Sequence, residues 1–228
     1  MNKIELHIHT SEGDKFAHDS GAEIVKMYAE KGYQCLVITN HYFSPFFNWF
    51  KDELEGADHK TIINRYLKGY YAARNEGEKL GITVLPGAEV RLKNSSNDYL
   101  VYGLNEEDFY NLPLLNTLNN VDELIDVLPK ETCVVQAHPF RNKMTVFDPK
   151  NLFGIEVFNY GTEPFRNEMA RLFALHYGKP MTSGSDFHGS GHLAKGGIIS
   201  NKKVLTPKDL VEVLRSGEYS LIETKRPK

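Results

Sequence analysis

The stretch Ile4-Glu5-Leu6-His7-Ile8-His9-Thr10 decides how the rest of the chain is read. It is apolar enough for a buried strand, and it ends in two histidines one residue apart. Side chains alternate faces along an extended strand, so His7 and His9 share a face at about 7 Å between their Cα atoms, and both rings can converge on one ion. Alone, the pair fits a polar strand edge equally well. A metal centre needs further ligands from distant segments.

Outward from this strand the chain alternates strand-like and helix-like runs. The spacing of apolar residues predicts a helix over Ala22 to Lys31 stopped by Gly32, and a strand over Cys35 to Thr39 leading into Asn40-His41. Tyr42 to Asp58 reads as an aromatic-rich loop, Thr61 to Leu80 as one long helix closed by Gly81, and Ile82 to Val90 as a strand carrying Gly87-Ala88-Glu89. In the second half, a strand over Tyr99 to Tyr102 is entered at Asp98, a helix over Val121 to Leu128 is capped by Asn120, and a strand over Cys133 to Ala137 ends at His138. Then come a strand over Leu152 to Phe158, a helix over Glu163 to Tyr177, and a strand over Pro180 to Ser183 that runs into Ser185-Asp186-Phe187-His188. Thr206-Pro207 opens a last helix, and a final strand lies near Tyr219 to Ile222. Strand-then-helix order predicts an α/β fold on a parallel sheet, open or closed into a barrel. With no linker or repeat, 228 residues fit a single domain over 1–228.

Composition narrows the partners. A hydrophobic share of 41% with 25% charged residues is that of a globular chain with a sizeable core. A net charge of -3 argues against a basic nucleic-acid footprint, and a small anionic ligand would then need local positive charge from metal or arginine. Cys35 and Cys133 sit in apolar runs, where buried, reduced thiols are expected. Met1-Asn2-Lys3 leads directly into the first strand, and no apolar run approaches membrane-spanning length; the expectation is a cytoplasmic protein with no membrane partner.

The chemistry lies in where the ligand-type residues fall. His7 and His9, His41, Glu89, His138, and Asp186 with His188 each stand at the C-terminal end of a predicted strand, the pole at which α/β barrels build active sites. One such residue is ordinarily a loop residue; this many at one pole predict a metal site.

The motifs His7-Ile8-His9-Thr10 with Asp14, Thr39-Asn40-His41, Gly87-Ala88-Glu89, Ala137-His138-Pro139-Phe140-Arg141 and Ser185-Asp186-Phe187-His188 resemble, in order and across residues 7–188, those of the polymerase and histidinol phosphatase (PHP) superfamily. The resemblance implies a distorted (β/α)7 barrel with its metal site at the C-terminal ends of the strands. It implies two or three divalent ions (Zn, Mn or Fe) and hydrolysis of a small phosphate ester by a metal-activated hydroxide. It adds Asp14 and Asp98 to the metal ligands, completing the set His7, His9, Asp14, His41, Glu89, Asp98, His138, Asp186 and His188.

Two positions depart from the family pattern. Asn40 stands where aspartate is usual, replacing a carboxylate that could orient a ligand or carry a proton. Asp98 stands where histidine is usual, and its hard oxygen favours manganese or iron over zinc at that position.

Of the catalytic residues, Glu89 is expected to bridge two ions, with His188 or His18 protonating the leaving oxygen. Arg141, three residues after His138, is the expected phosphate-binding residue; Arg91, Lys93 and Lys143 are weaker candidates. His59, His176 and His192 match no ligand position. Residues 42–50 should overhang the metal pole, where they either stack on a substrate ring or pack on the next helix. Two other functions fit less of the pattern. They are an amidohydrolase-like metal hydrolase, against which Glu89 in place of lysine weighs, and a non-catalytic metal-binding module.

Overall fold

The computed structural model describes residues 1–225; the last three residues of the expected 1–228 domain lie outside the described residues. Its strands are β1 (Asn2–Ile8), β2 (Tyr33–Ile38), β3 (His41–Tyr42), β4 (Thr83–Pro86), β5 (Ala88–Arg91), β6 (Asp98–Tyr102), β7 (Cys133–Gln136), β8 (Gly154–Asn159), β9 (Met181–Gly184), β10 (Ile198–Ser200) and β11 (Tyr219–Leu221). They form two sheets, β11-β10-β1-β2-β4 and β3-β5-β6-β7-β8-β9.

Two junctions join the sheets into a ring. At one, the predicted strand over Ile82 to Val90 breaks at Gly87: β4 pairs in parallel with β2, whereas β5 pairs with β3 and β6. The backbone there passes so close to its neighbours that a methyl group at Gly87 would lie 2.9 Å from Val37 Cγ1 and 3.1 Å from the Val101 carbonyl oxygen. At the other junction the chain after β9 rejoins β1 through a parallel bridge of Phe187 with Ile8, with His9 N donating to Phe187 O at 3.0 Å and Phe187 N to His7 O at 3.1 Å. Taking β4 and β5 as one bent strand, β1, β2, β4/β5, β6, β7, β8 and β9 make a distorted seven-stranded barrel. This is the α/β architecture expected from the sequence.

The sheet is not wholly parallel. β6 runs antiparallel to both β5 and β7, so its first residue, Asp98, lies at the pole where its neighbours end. The pairing of Arg91 with Asp98 and of Tyr99 with Gln136 fixes this register. β10, which the sequence did not announce, pairs antiparallel with β1 and β11 outside the ring.

The helices are α1 (Gly21–Glu30), α2 (Ser44–Trp49), α3 (Lys51–Leu54), α4 (His59–Tyr66), α5 (Lys68–Leu80), α6 (Glu106–Asn111), α7 (Val121–Val127), α8 (Pro164–His176) and α9 (Pro207–Ser216). Ser20 and Glu23 cap α1 reciprocally, and Thr206 with Asp209 does the same for α9 ahead of Pro207. The expected loop over Tyr42 to Asp58 holds two short helices instead. Pro45 sets the first turn of α2 and Phe46 is buried, so core contact outweighs the weak helix propensity of an aromatic run.

The expected single helix over Thr61 to Leu80 is also two. Asp58 caps α4 by accepting from Thr61 N at 2.8 Å, and the helix breaks at Leu67, which brings Gly69 against Thr10. A side chain at Gly69 would overlap Thr10 Oγ1, so the break seats the helix pair under the end of β1.

Ile4, Leu6, Val37, Leu100 and Val135 pack with Leu210, Val211 and Leu214 of α9, while Ile24, Val25 and Tyr28 of α1 and Ile63 and Tyr66 of α4 join the larger apolar cluster. Cys35 and Cys133 are buried and unpaired. Among the described residues no helix is long and apolar enough to cross a membrane.

Candidate metal centre

All nine residues expected as ligands lie together at one pole. His7 and His9 come from the end of β1, Asp14 from the loop that follows, His41 from β3, and Glu89 from β5. Asp98 opens β6, His138 follows β7, and Asp186 and His188 follow β9. They form four overlapping groups able to hold an ion: His9, Asp14, His41 and His188; His7, His9 and Glu89; His7, His138 and Asp186; and Glu89, Asp98 and His138.

The spacings have a meaning. Glu89 Oε2 stands 3.3 Å from His7 Nε2, 3.2 Å from His9 Nε2 and 3.0 Å from His41 Nε2. Asp186 Oδ1 stands 3.5 Å from His7 Nε2, 3.4 Å from His9 Nε2 and 3.3 Å from His188 Nδ1. Donors bound at about 2.0 to 2.2 Å to a shared ion are separated by roughly 3.0 to 3.5 Å along the edges of a tetrahedron or octahedron. The other oxygen of Glu89, Oε1, lies 2.9 Å from His138 Nε2, so this carboxylate faces two groups of ligands at once, as the expected bridging role requires.

Several buried atoms in the cluster have no hydrogen-bond partner among the described residues: His7 Nε2, both ring nitrogens of His9, and Glu89 Oε2. Buried polar atoms are ordinarily satisfied, so converging orphans of this kind fit a cation. The mixture of imidazole nitrogen and carboxylate oxygen suits first-row divalent metals.

The electrostatics agree. Burial opposes charge on His7, yet the carboxylates of Glu156, Asp186 and Glu89 outweigh it and hold the imidazole well above its usual range. His9 behaves likewise beside Asp14, Asp186 and Glu89. Burial also opposes ionisation of Glu89 and Asp186; the cationic groups around them, led by His7 for Glu89 and by Arg141 for Asp186, nonetheless hold both well below the usual carboxylate range. His188 is pushed down to about 4 by burial and by the positive charges of His9 and His41. A cluster of buried carboxylates of this kind calls for positive charge.

A supporting layer fixes the ligands, and part of it escaped the sequence reading. Glu156 on β8 lies 2.8 Å from His7 Nδ1 through Oε1, and through Oε2 accepts from His138 N at 3.0 Å and Asn159 Nδ2 at 2.9 Å. A carboxylate on the far nitrogen sets the tautomer, leaving Nε2 free to bind. Glu5 on β1 accepts from Ser185 N at 2.9 Å, from the Ser185 hydroxyl and from Tyr28 Oη at 3.1 Å, which secures the turn before Asp186. The signal for both was a single acid inside an otherwise apolar strand, costly unless paired.

The backbone is also unusual at the site. His138 and Asp186 adopt positive φ of 30° and 49°, a region non-glycine residues rarely enter and one that collects at functional positions.

Asn40, standing where the family pattern has a carboxylate, turns its side chain to the backbone. Its Oδ1 accepts from Thr10 N at 2.7 Å and its Nδ2 donates to Thr10 Oγ1 at 3.1 Å. The amide therefore clamps the chain just beyond His9 and hydrogen-bonds to no ligand atom.

Arg141 lies at the edge of the cluster. It donates through Nη2 to Asp186 and to Asn159 Oδ1 (2.9 Å), and through Nε to Thr162 Oγ1 (3.4 Å). Arg91 grips Asp98 instead. Lys93 and Lys143 are exposed. His18 is exposed at the rim, its backbone N–H donating to His188 O at 3.0 Å, and His192 Nδ1 lies 2.7 Å from Asp186 O. His59 and His176, at the ends of α4 and α8, join none of the ligand groups. The aromatic stretch does overhang the pole: Phe43 stacks on His41 at 4.6 Å and meets Trp49 edge-on, while Phe46 packs against Tyr66 of α4. Both packing and overhang are thus present.

Residues 164–219, which include α8 and α9, match the family described as PHP-associated (PHP_C). None of the curated proteins matches the sequence significantly. Among solved structures, the fold is similar to a two-domain protein from Bacteroides vulgatus containing a predicted PHP-like metal-dependent phosphoesterase (TM-score 0.71, 16% identity, covering 98% of this chain and 65% of that one). It is also similar to a candidate metal-dependent phosphoesterase from Bifidobacterium adolescentis (TM-score 0.60, 15% identity, 94% and 96% coverage). A third is an amidohydrolase from Chromobacterium violaceum with bound sulfate (TM-score 0.59, 14% identity, 97% and 98% coverage). The chain thus spans less than two thirds of the two-domain protein. At these identities the likeness is one of fold, and that fold is the α/β fold of PHP phosphoesterase structures.

Proposed function

We propose that this chain is a metal-dependent phosphoesterase acting on a small phosphate ester. The observation that carries the reading is the convergence of nine buried or half-buried imidazole and carboxylate residues at one pole, most of them spaced as the edges of shared coordination shells, with two arginines at the rim. Divalent ions bound there would supply an acidified water as nucleophile at neutral pH and offset charge on the phosphate oxygens.

The protein's own groups do the rest. Glu89 turns one oxygen to His7, His9 and His41 and the other to His138, tying the ligand groups together. Glu156 holds His7 in the tautomer that offers Nε2. Arg141, buried on one side by Asn159 and Asp186, presents its guanidinium to an incoming phosphate. His188 stands with His9, Asp14 and His41 in one ligand group and serves there as a ligand, which leaves His18, exposed at the rim with its backbone N–H on His188 O, as the ring that protonates the leaving oxygen.

The test is a substrate panel. Protein reconstituted separately with Mn, Zn and Fe(II) is offered nucleotides, sugar phosphates, histidinol phosphate, aryl phosphates and, in parallel, amide and lactone substrates. Release of phosphate from at least one ester is expected; turnover confined to the amide or lactone set would replace this reading with the amidohydrolase one.

A further inference from the structure

Asp98 differs from the other carboxylates of the ligand set in what holds it. Both its oxygens are taken by one guanidinium, with Arg91 Nε donating to Oδ1 at 2.7 Å and Nη2 to Oδ2 at 2.7 Å. The two residues are direct cross-strand partners of β5 and β6, so the fork is built into the sheet register. On its other side Arg91 lies over the Phe43 ring at 5.4 Å, and Phe43 is stacked on His41.

The edge between Asp98 and His138 is also long. Asp98 Oδ2 is 3.9 Å from His138 Nε2, beyond the edge length of a shared coordination shell, and His138 Nε2 turns to Glu89 Oε1 at 2.9 Å. The negative charge that Asp98 adds in place of a neutral imidazole is met by Arg91.

We propose that Arg91, held by Asp98, supplies the positive charge at the corner formed by Glu89, Asp98 and His138 in place of a third metal ion, and is a second phosphate-binding residue. Asp98 is then a positioning residue. The inference rests on the phosphoesterase reading and sharpens it. Arg91 is 35% exposed and Arg141 31%, so both guanidiniums reach solvent at the rim while each is pinned to a buried carboxylate. Asp98 takes Nε and Nη2 of Arg91 and Asp186 takes Nη2 of Arg141, so each ion pair is neutral and offers an incoming phosphate its remaining, fixed N–H donors. A monoester, with three terminal oxygens against a diester's two, uses more of them. The substrate class that fits is the dianion of a monoester.

Elemental analysis and kinetics on reconstituted wild type, Asp98→Asn, Arg91→Gln and Arg91→Lys test this, with p-nitrophenyl phosphate as monoester and bis(p-nitrophenyl) phosphate as diester. Two metal equivalents are expected in wild type and in all three variants. Arg91→Gln should lower kcat/KM for the monoester roughly 10- to 100-fold, and for the diester distinctly less. Asp98→Asn should fall in the same direction, and Arg91→Lys should recover part of the loss. A third equivalent in wild type that Asp98→Asn loses would overturn the proposal, as would equal losses on both esters. Metal-loaded wild type that cleaves neither ester nor any other phosphate would instead remove the phosphoesterase reading, and this inference with it.

Discussion

Arg141 is the residue on which phosphate binding can be separated from metal binding. It touches Asp186, a candidate ligand, yet it is also anchored by Asn159 and Thr162, which are not. Removing it should therefore cost substrate affinity more than metal. A charge-assisted bidentate contact is worth about 1.5 to 3 kcal/mol, so Arg141→Ala should lower kcat/KM roughly 10- to 150-fold. Metal content should stay at the wild-type level, and steady-state kinetics with elemental analysis reads both quantities. Unchanged kcat/KM, or loss of the metals, would give Arg141 another role.

The same residue shows what a sequence makes legible. Asp14 and Asp98 came only with the family resemblance, whereas Arg141 and most of the candidate ligands, His138 among them, stood out because reactive residue types gathered at strand ends. Glu156 and Glu5 did not, because one acid inside an apolar strand carries no partner in the sequence; its partners, His7 and Ser185, are brought to it only by the closed ring. Asn40 is a complementary case. Its sequence position showed only that a carboxylate was missing, and the fold shows what the amide does instead, turned back onto Thr10.

At the scale of elements, apolar runs and glycine stops placed most strands and helices to within a few residues. What they could not show is direction. β6 reads as a strand either way, and its antiparallel course, which puts Asp98 at the pole and opposite Arg91, follows from pairing with β5 and β7. The break in the long helix and the short helices after β3 likewise arise from tertiary contacts, at Gly69 and Phe46, that local propensity does not encode.

β9 carries a prediction of its own. A methyl group at Gly184 would lie 2.5 Å from His7 Cβ and 2.6 Å from Glu156 Oε1, so β9 passes directly behind the pair that orients His7. Gly184→Ala should destabilise the protein by about 1 to 3 kcal/mol, the usual cost of overpacking a core, and weaken metal retention by displacing His7. Denaturant unfolding and metal content measured together check this; wild-type values for both would show that β9 does not buttress the site.

For the molecule as a whole, the barrel gathers a charge pattern that no single element contains. Asp14, Glu89, Asp98, Glu156 and Asp186 arrive from five segments and are all buried, with His7, His9, His41 and His138 buried among them. Ionised carboxylates at such depth persist only where cations meet them. Arg91 and Arg141 meet two of them at the rim. Around the others lie orphaned imidazole nitrogens that face one another, where the proposed chemistry would place its ions.

The most direct measurement is therefore phosphate-ester hydrolysis through a cycle of metal removal and return, run alongside an Asp186→Ala variant. Chelation followed by buffer exchange should bring hydrolysis to background, and Mn, Zn or Fe(II) should restore it in the wild type. Asp186→Ala, missing a group that stands 3.3 to 3.5 Å from three histidines, should not recover. Hydrolysis that survives complete metal removal, or that Asp186→Ala retains at the wild-type rate, would contradict the account.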